Sequence, residues 1–213
     1  MIFYYGADRK VEKPIYNYSG SNPSNDYGMG FYLTKEKDKA ELWASQYDEG
    51  YCIKYDFDMK DLNVLYLNSN TEEEIMLWIS ILVNNRFSIE EIENDKETIE
   101  WLNNHYHINL DEYDVIVGYR ADDSYFLYSR DFVSNDLSVE ALSKAMKLGK
   151  LGLQYCLKSE KAFQKIKTLE YIKIEKNNSY SVFREKIRQE YLETKKNDDI
   201  HNERILDIMR KTK

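Results

Sequence analysis

The sequence predicts an α+β domain. Three observations carry that reading: short apolar or alternating runs of strand length are mixed with amphipathic stretches of helical period, the two kinds follow no regular alternation, and no internal repeat is visible. Composition agrees. The 213 residues are 42% hydrophobic and 32% charged, which suits a sizeable core and argues against global disorder. Nineteen tyrosines favour half-buried strands and clefts over a purely aliphatic interior.

The elements follow in order. Ile2-Phe3-Tyr4-Tyr5 reads as a short strand, and the polar segment from Asn17 to Gly30 as a loop. Phe31 to Thr34 reads as a turn or short strand. Ala40, Trp43, Ala44 and Tyr47 stand at helical spacing, which predicts a helix over Lys35 to Tyr47. Strands are expected at Tyr51–Phe57 and Val64–Leu67. Thr71 and Glu74 have the spacing of a capping box, opening a helix over Glu72 to Asn84 with Ile75, Trp78, Ile79 and Leu82 on one face. Ser88 and Glu91 repeat that signal before a helix running to about Asn103. Tyr113–Gly118 is an apolar strand, Ser138–Met146 a helix, Leu153–Leu157 a strand, Ser159–Ile166 a short helix and Glu170–Ile174 the last strand. From Tyr180 the composition turns charged, predicting two helices broken near Asn197-Asp198. The expected organisation is one domain over 1–176 and a charged helical tail over 177–213.

Several function classes are disfavoured. A net charge of -8 gives the whole chain no general affinity for nucleic acid, although the local basic pieces 184-REKIR-188 and 208-IMRKTK-213 could touch RNA or an acidic partner. No apolar run reaches the roughly 18 residues needed to cross a bilayer. The start carries no basic segment followed by an apolar one, as a secretory signal would. Cys52 and Cys156 sit in apolar strand-like surroundings, which suits buried thiols in a reducing cytoplasm better than a disulfide. No phosphate-binding Gly-x-x-x-x-Gly-Lys loop and no Gly-x-Ser-x-Gly nucleophile turn is present. His105 and His107 have the spacing of one strand face but lack neighbouring ligands, so no metal is expected. Glu160 reads as a helix-start residue, and 72-EEE-74 and 90-EEIE-93 as solvated helix faces.

The informative stretch is 25-NDYGMGFYLT-34. Two of only eight glycines stand there, two residues apart, directly before an aromatic strand. That suits a backbone that turns sharply and lets a planar group lie close. Arg120-Ala121-Asp122-Asp123 follows an apolar strand, where a polar loop often carries site residues; it reads either as a substrate or cation loop or as a turn with a helix cap.

Five blocks occur in order: 26-DYGMGFYLT-34, 40-AELWA-44, 113-YDVIVG-118, 121-ADD-123 and 154-QYCLKSEKA-162. Over about residues 1 to 175 the chain resembles a bacterial family catalogued as domain of unknown function three-nine-nine-zero, placed in the ADP-ribosyltransferase superfamily near its poly(ADP-ribose) polymerase branch. The resemblance implies an ADP-ribosyltransferase-like split β-sheet with flanking helices and a C-terminal helical extension. It implies NAD as substrate with no metal, an unknown macromolecular acceptor, a toxin or defence setting in the cytoplasm, a neutralising partner protein and no membrane. By the same resemblance Tyr32 would stack on nicotinamide and Gly6 would grip its carboxamide. Gly30 and Thr34 would shape or contact the cofactor site, and Tyr5 and Gln154 would hold ribose hydroxyls, with Arg120, Asp122 and Asp123 on a substrate loop. Tyr5 departs from the family pattern, standing where a His is usual, and Gln154, which fits the family's Gln-Tyr block, stands where active transferases of the superfamily carry a Glu. Glutamine can orient a hydroxyl but supplies neither a base nor a negative charge. Mono-ADP-ribosyl transfer is thus the favoured expectation, with a catalytically lapsed nucleotide- or partner-binding module as its rival and NAD hydrolysis by water as a third.

Overall fold

A computed structural model describes residues 1–17, 22–69, 71–120, 123–150 and 152–212. Seven strands and nine helices are found among them. They run β1 (Ile2–Ala7), β2 (Phe31–Thr34), α1 (Lys37–Ala44), β3 (Gly50–Phe57), β4 (Val64–Leu67), α2 (Glu72–Arg86), α3 (Ile89–Asn94), α4 (Lys96–Tyr106), β5 (Val115–Tyr119), α5 (Asp123–Val133), α6 (Val139–Ala145), β6 (Leu153–Leu157), α7 (Glu160–Gln164), β7 (Ile166–Ile174), α8 (Ser179–Lys196) and α9 (Ile205–Lys211). The α+β class holds.

One sheet contains all seven strands in the order β4-β5-β6-β2-β1-β3-β7. Only β4 and β5 are parallel, and α2, α3 and α4 supply the crossover that a parallel pair requires. The sheet is nearly divided in the middle. β1 pairs β3 along its whole length, and β2 pairs β6 at all four residues, but β1 and β2 share a single paired position, Tyr4 with Thr34. Beyond it their edges part, although the same antiparallel register would set Gly6 opposite Tyr32.

Two cores follow from the period-2 alternation of the strands. The larger packs Ile116 of β5 and Cys156 of β6 against α2, α4, α5, α6, α8 and α9, around Trp78, Tyr128, Phe132 and Tyr191. Each such fully buried side chain contributes about 1.5–3 kcal/mol relative to exposure. The smaller core, on the other face, joins Phe3, Leu33, Tyr55, Phe57, Val117 and Leu157 to Phe163 of α7. The C-terminal helices are part of the larger core, which buries Ile187, Tyr191, Ile205, Ile208 and Met209.

Several sequence expectations need correction. α1 is shorter at both ends than Lys35–Tyr47. Glu74 does not reach back to Thr71; its carboxylate accepts from the Ser69 backbone N–H at 2.6 Å, while Thr71 caps from its own side chain. The Ser88–Glu91 capping box is present, but the chain breaks at Asp95, making two helices where one was expected. His105 and His107 share no strand face: His105 lies in the last turn of α4 with Nδ1 2.8 Å from the Trp101 carbonyl, and His107 caps that helix. α5 opens at Asp123, which suits the helix-cap reading of that loop, but its extent to Val133 was not anticipated. β7 begins four residues before Glu170 and forms one edge of the sheet.

Candidate functional site

The parting of β1 from β2 opens a cleft of about 310 Å³. Tyr5, Gly6, Tyr32, Thr34, Arg120 and Gln154 all line it, although they span most of the sequence. So do Tyr4, Asp26, Lys39, Trp43, Arg86 and Tyr180, to which the sequence alone assigned no site role.

The loop before β2 is built from the core outward. Tyr27 is fully buried, and its hydroxyl donates to the Tyr119 carbonyl at 2.7 Å, an oxygen that also accepts from Trp78 Nε1 at 3.2 Å. Gly118 makes room for it; a Cβ there would come within 2.3 Å of the Tyr27 hydroxyl. With Tyr27 turned inward, its neighbour Asp26 is delivered to the cleft. Lys158 Nζ fastens the loop by donating to the Tyr27 and Met29 carbonyls at 2.9 and 2.8 Å.

The two glycines serve this turn. Gly28 has φ +71°, which a side chain rarely tolerates. Gly30 presses on β6, where a Cβ would meet Cys156 Sγ at 2.4 Å and the Leu157 carbonyl at 2.8 Å. Gly30 therefore faces the neighbouring strand and does not line the cleft.

Tyr32 has its hydroxyl committed to the same turn: it donates to the Gly28 carbonyl at 2.5 Å and accepts from the Tyr27 N–H at 3.1 Å. Burial first, and then the nearby Cys156 and Asp26, push its phenol well above the ordinary value, so it stays protonated and able to donate. Its ring lies parallel to that of Tyr27, with centroids 6.5 Å apart.

Thr34 and Gln154 are paired across β2 and β6. Thr34 Oγ1 accepts from the Glu36 N–H and donates to Glu36 Oε2, both at 3.1 Å, so it supports the turn into α1. Gln154 is 8% exposed, and its Nε2 donates to Asp26 Oδ2 at 2.6 Å. Arg86, at the end of α2, meets the other Asp26 oxygen at 2.7 Å and stacks on Phe126 at 4.7 Å. A carboxylate only accepts hydrogen bonds, so the Gln154 amide is held with its nitrogen toward Asp26. Its Oε1 is not sealed from solvent and, among the described residues, meets no donor.

Gly6 carries α1 on its outer face: a Cβ would lie 2.3 Å from the Ala40 carbonyl and 3.1 Å from the Trp43 side chain. Tyr5, one residue earlier, points the other way. Its ring packs 4.6 Å from Phe31 in the smaller core, and burial raises its phenol. Thus Tyr5 borders the cleft but lies on the opposite side of β1 from Gly6. Arg120 leaves the end of β5 and lays its guanidinium over Trp43 at 4.8 Å. Asp122 lies outside the described residues, as does the side chain of Asp123, which opens α5. Among the described residues no group of His, Cys, Asp and Glu is arranged to hold a metal, and no helix is long and apolar enough to cross a membrane.

Charge at the cleft inverts that of the chain. Its described lining holds Lys39, Arg86 and Arg120 against one carboxylate, Asp26, in a protein of net charge -8. Asp26 was legible within 26-DYG, but only its burial reveals its role. Arg86 carried no sequence signal and lies just past the helix end expected at Asn84.

Residues 1–168 match the model of a family described as Protein of unknown function (DUF3990). No curated protein and no solved structure matches the chain.

Proposed function

The chain belongs to that family, and we propose that it binds NAD in the β1–β2 cleft and transfers ADP-ribose to a macromolecular acceptor. The reading also takes up the superfamily resemblance of the motifs. The observation that carries it is the divided sheet: the edges of β1 and β2 part where Gly6 and Tyr32 would face each other, and Gln154 lines the same cleft. An unpaired strand edge offers backbone N–H and C=O groups to a carboxamide, and the Tyr32 ring offers an apolar flank. Lys39 and Arg120, the lining cations outside the Arg86–Asp26 pair, suit a ligand bearing phosphates.

In this reading Gln154 Oε1 accepts a hydrogen bond from a ribose hydroxyl. The bond from the anomeric carbon to the nicotinamide nitrogen breaks, and its electron pair leaves with neutral nicotinamide. A nucleophile of the acceptor then bonds to the anomeric carbon and releases its proton to solvent. The ion-paired Asp26, behind Gln154, is the nearest negative charge the lining provides for the oxocarbenium-like centre.

A binding module that has lost catalysis is the second reading, favoured by the Tyr5 ring packing into the smaller core. Incubation with labelled NAD and a cell lysate, followed by separate protease and nuclease digestion, tests both. Transfer of label to a macromolecule supports the transferase. Calorimetric NAD binding with no consumption supports the module. The absence of NAD binding overturns the transferase and reduces the module to a partner-binding one.

A further inference from the structure

We propose that the rim of the cleft is a docking surface for single-stranded nucleic acid. Three cation–ring pairs converge there from separate parts of the chain. Arg120 lies over Trp43 at 4.8 Å, Lys39 Nζ is 5.3 Å from the Phe183 ring, and Arg184 is 5.8 Å from the Tyr180 ring. Trp43 and Tyr180 meet edge to face at 5.2 Å, joining the pairs into one patch.

The sequence builds this patch by helical spacing. Lys39 and Trp43 are four apart on α1, and Tyr180, Phe183 and Arg184 fall on one face of the first turns of α8. The α8 contribution lies beyond residues 1–168, so it adds to what the family match covers. Lys39, Trp43, Arg120 and Tyr180 also line the cleft, which places the patch at its mouth.

The chemistry selects the partner. Flat rings and guanidinium planes accept unstacked bases, and the cations accept the backbone phosphates; that combination is how single strands are held without sequence preference. A duplex hides its base faces. The chain as a whole is acidic, and this local reversal of charge draws a polyanion to the rim. Asp38, 3.2 Å from Lys39 and largely exposed, is an acidic neighbour a strand must tolerate. Binding does not depend on the transferase reading; that the bound strand is the acceptor does.

The test is fluorescence anisotropy of a fluorescein-labelled short oligodeoxythymidylate, and of its uridylate counterpart, against the full chain over a salt series. Single strands lose affinity with a log–log slope of roughly -0.7 per phosphate neutralised, so three cations predict about -2. The triple variant Lys39→Gln, Arg120→Gln, Arg184→Gln, checked for native circular dichroism, should flatten the slope and weaken binding about tenfold or more. A self-complementary duplex should bind more weakly than the single strand. No binding at low salt, or a triple variant with unchanged affinity and slope, overturns the proposal. Strand binding without NAD consumption sinks the transferase reading and leaves the surface standing. NAD consumption with protease-sensitive label and no strand binding does the reverse, and makes the acceptor a protein.

Discussion

Gln154 and Asp26 are 128 residues apart in sequence, yet the Gln154 amide nitrogen donates to the Asp26 carboxylate at 2.6 Å in a buried contact. The carboxylate is balanced on its other oxygen by Arg86, whose side chain is 15% exposed. Together they orient one amide toward the cleft. Removing the charge with Asp26→Asn breaks a largely buried ion pair, and breaking such pairs costs about 3–5 kcal/mol. The urea midpoint of the variant should fall accordingly. The double variant Asp26→Asn, Arg86→Met should recover much of the loss. An additive double variant would show that the pair is not coupled.

Tyr32 has a ring at the cleft and a hydroxyl in the turn. Tyr32→Phe keeps the ring and deletes two hydrogen bonds, so stability should fall by about 1–2 kcal/mol with NAD affinity retained. Tyr32→Ala should lose about 1–3 kcal/mol of binding as well, from the missing aromatic contact. Calorimetry on both variants, with unfolding followed separately, checks this. Equal NAD affinity in all three proteins would remove Tyr32 from the site.

Both cysteines should be silent while the protein is folded. Burial raises Cys52 and Cys156 to about 12, above the ordinary thiol, so almost no thiolate exists near neutral pH. Iodoacetamide should modify neither in native protein and both in urea, read by mass spectrometry. Rapid labelling of Cys156 without denaturant would contradict the tight packing of β6 against Gly30.

The strands and most helices were legible because their signals are local: alternation, helical period and caps such as Ser88 with Glu91. The sequence also carried Gly6, Tyr32 and Gln154 to one cleft, through the order of motifs. What it could not carry was the pairing of side chains brought together by the sheet. The motif placed Asp26 beside the glycines, but its bond to Gln154 exists only because Tyr27 is drawn inward over Gly118. Tyr5 was read by position alone, whereas strand alternation sets its ring on the far face with Phe31. The apolar register of β1 held that information; the motif did not. Gly30 was assigned to a ligand when its neighbour is Cys156.

Acid should loosen the C-terminal helices. The Asp198 side chain, 2% exposed, ties the turn after α8 to the start of α6. Burial pushes its carboxyl up, but the Ser138 hydroxyl and N–H at 2.6 and 2.9 Å, Asn202, and Arg204 at 3.0 Å together hold it below the ordinary value. A depressed carboxyl stabilises the fold above its unfolded value of about 3.9, and that contribution is lost as pH falls through the lower, folded value. Asp198→Asn should cost about 1.5–3 kcal/mol at neutral pH and flatten the acid limb of a stability profile measured by urea unfolding. An unchanged acid limb would assign that limb to other carboxylates.

Gln154→Glu is the substitution that the proposed transferase reading invites, since it would place an acid beside the ribose. The surrounding residues predict a different result. The new carboxylate would stand near 2.6 Å from Asp26 in a buried site, with Arg86 already committed to that partner. Two like charges so placed share a proton, so the introduced group has its pKa raised above the unfolded value of about 4.3. A raised carboxyl favours folding only where it is protonated. Relative to wild type, the variant should therefore lose stability as pH rises from about 4.3 through the raised value, at about 1.4 kcal/mol for each unit of the raise. The single change should leave NAD consumption unimproved at neutral pH, because two carboxylates that share a proton add little negative charge to the cleft. Asp26→Asn with Gln154→Glu moves the carboxylate to the cleft and sets an amide, which can donate to it, at position 26. That pair should restore stability and raise NAD consumption by about a hundred- to a thousand-fold if charge at the anomeric carbon limits the wild type. A single Gln154→Glu that is fully stable and faster would mean that Asp26 does not hold the Gln154 amide in solution.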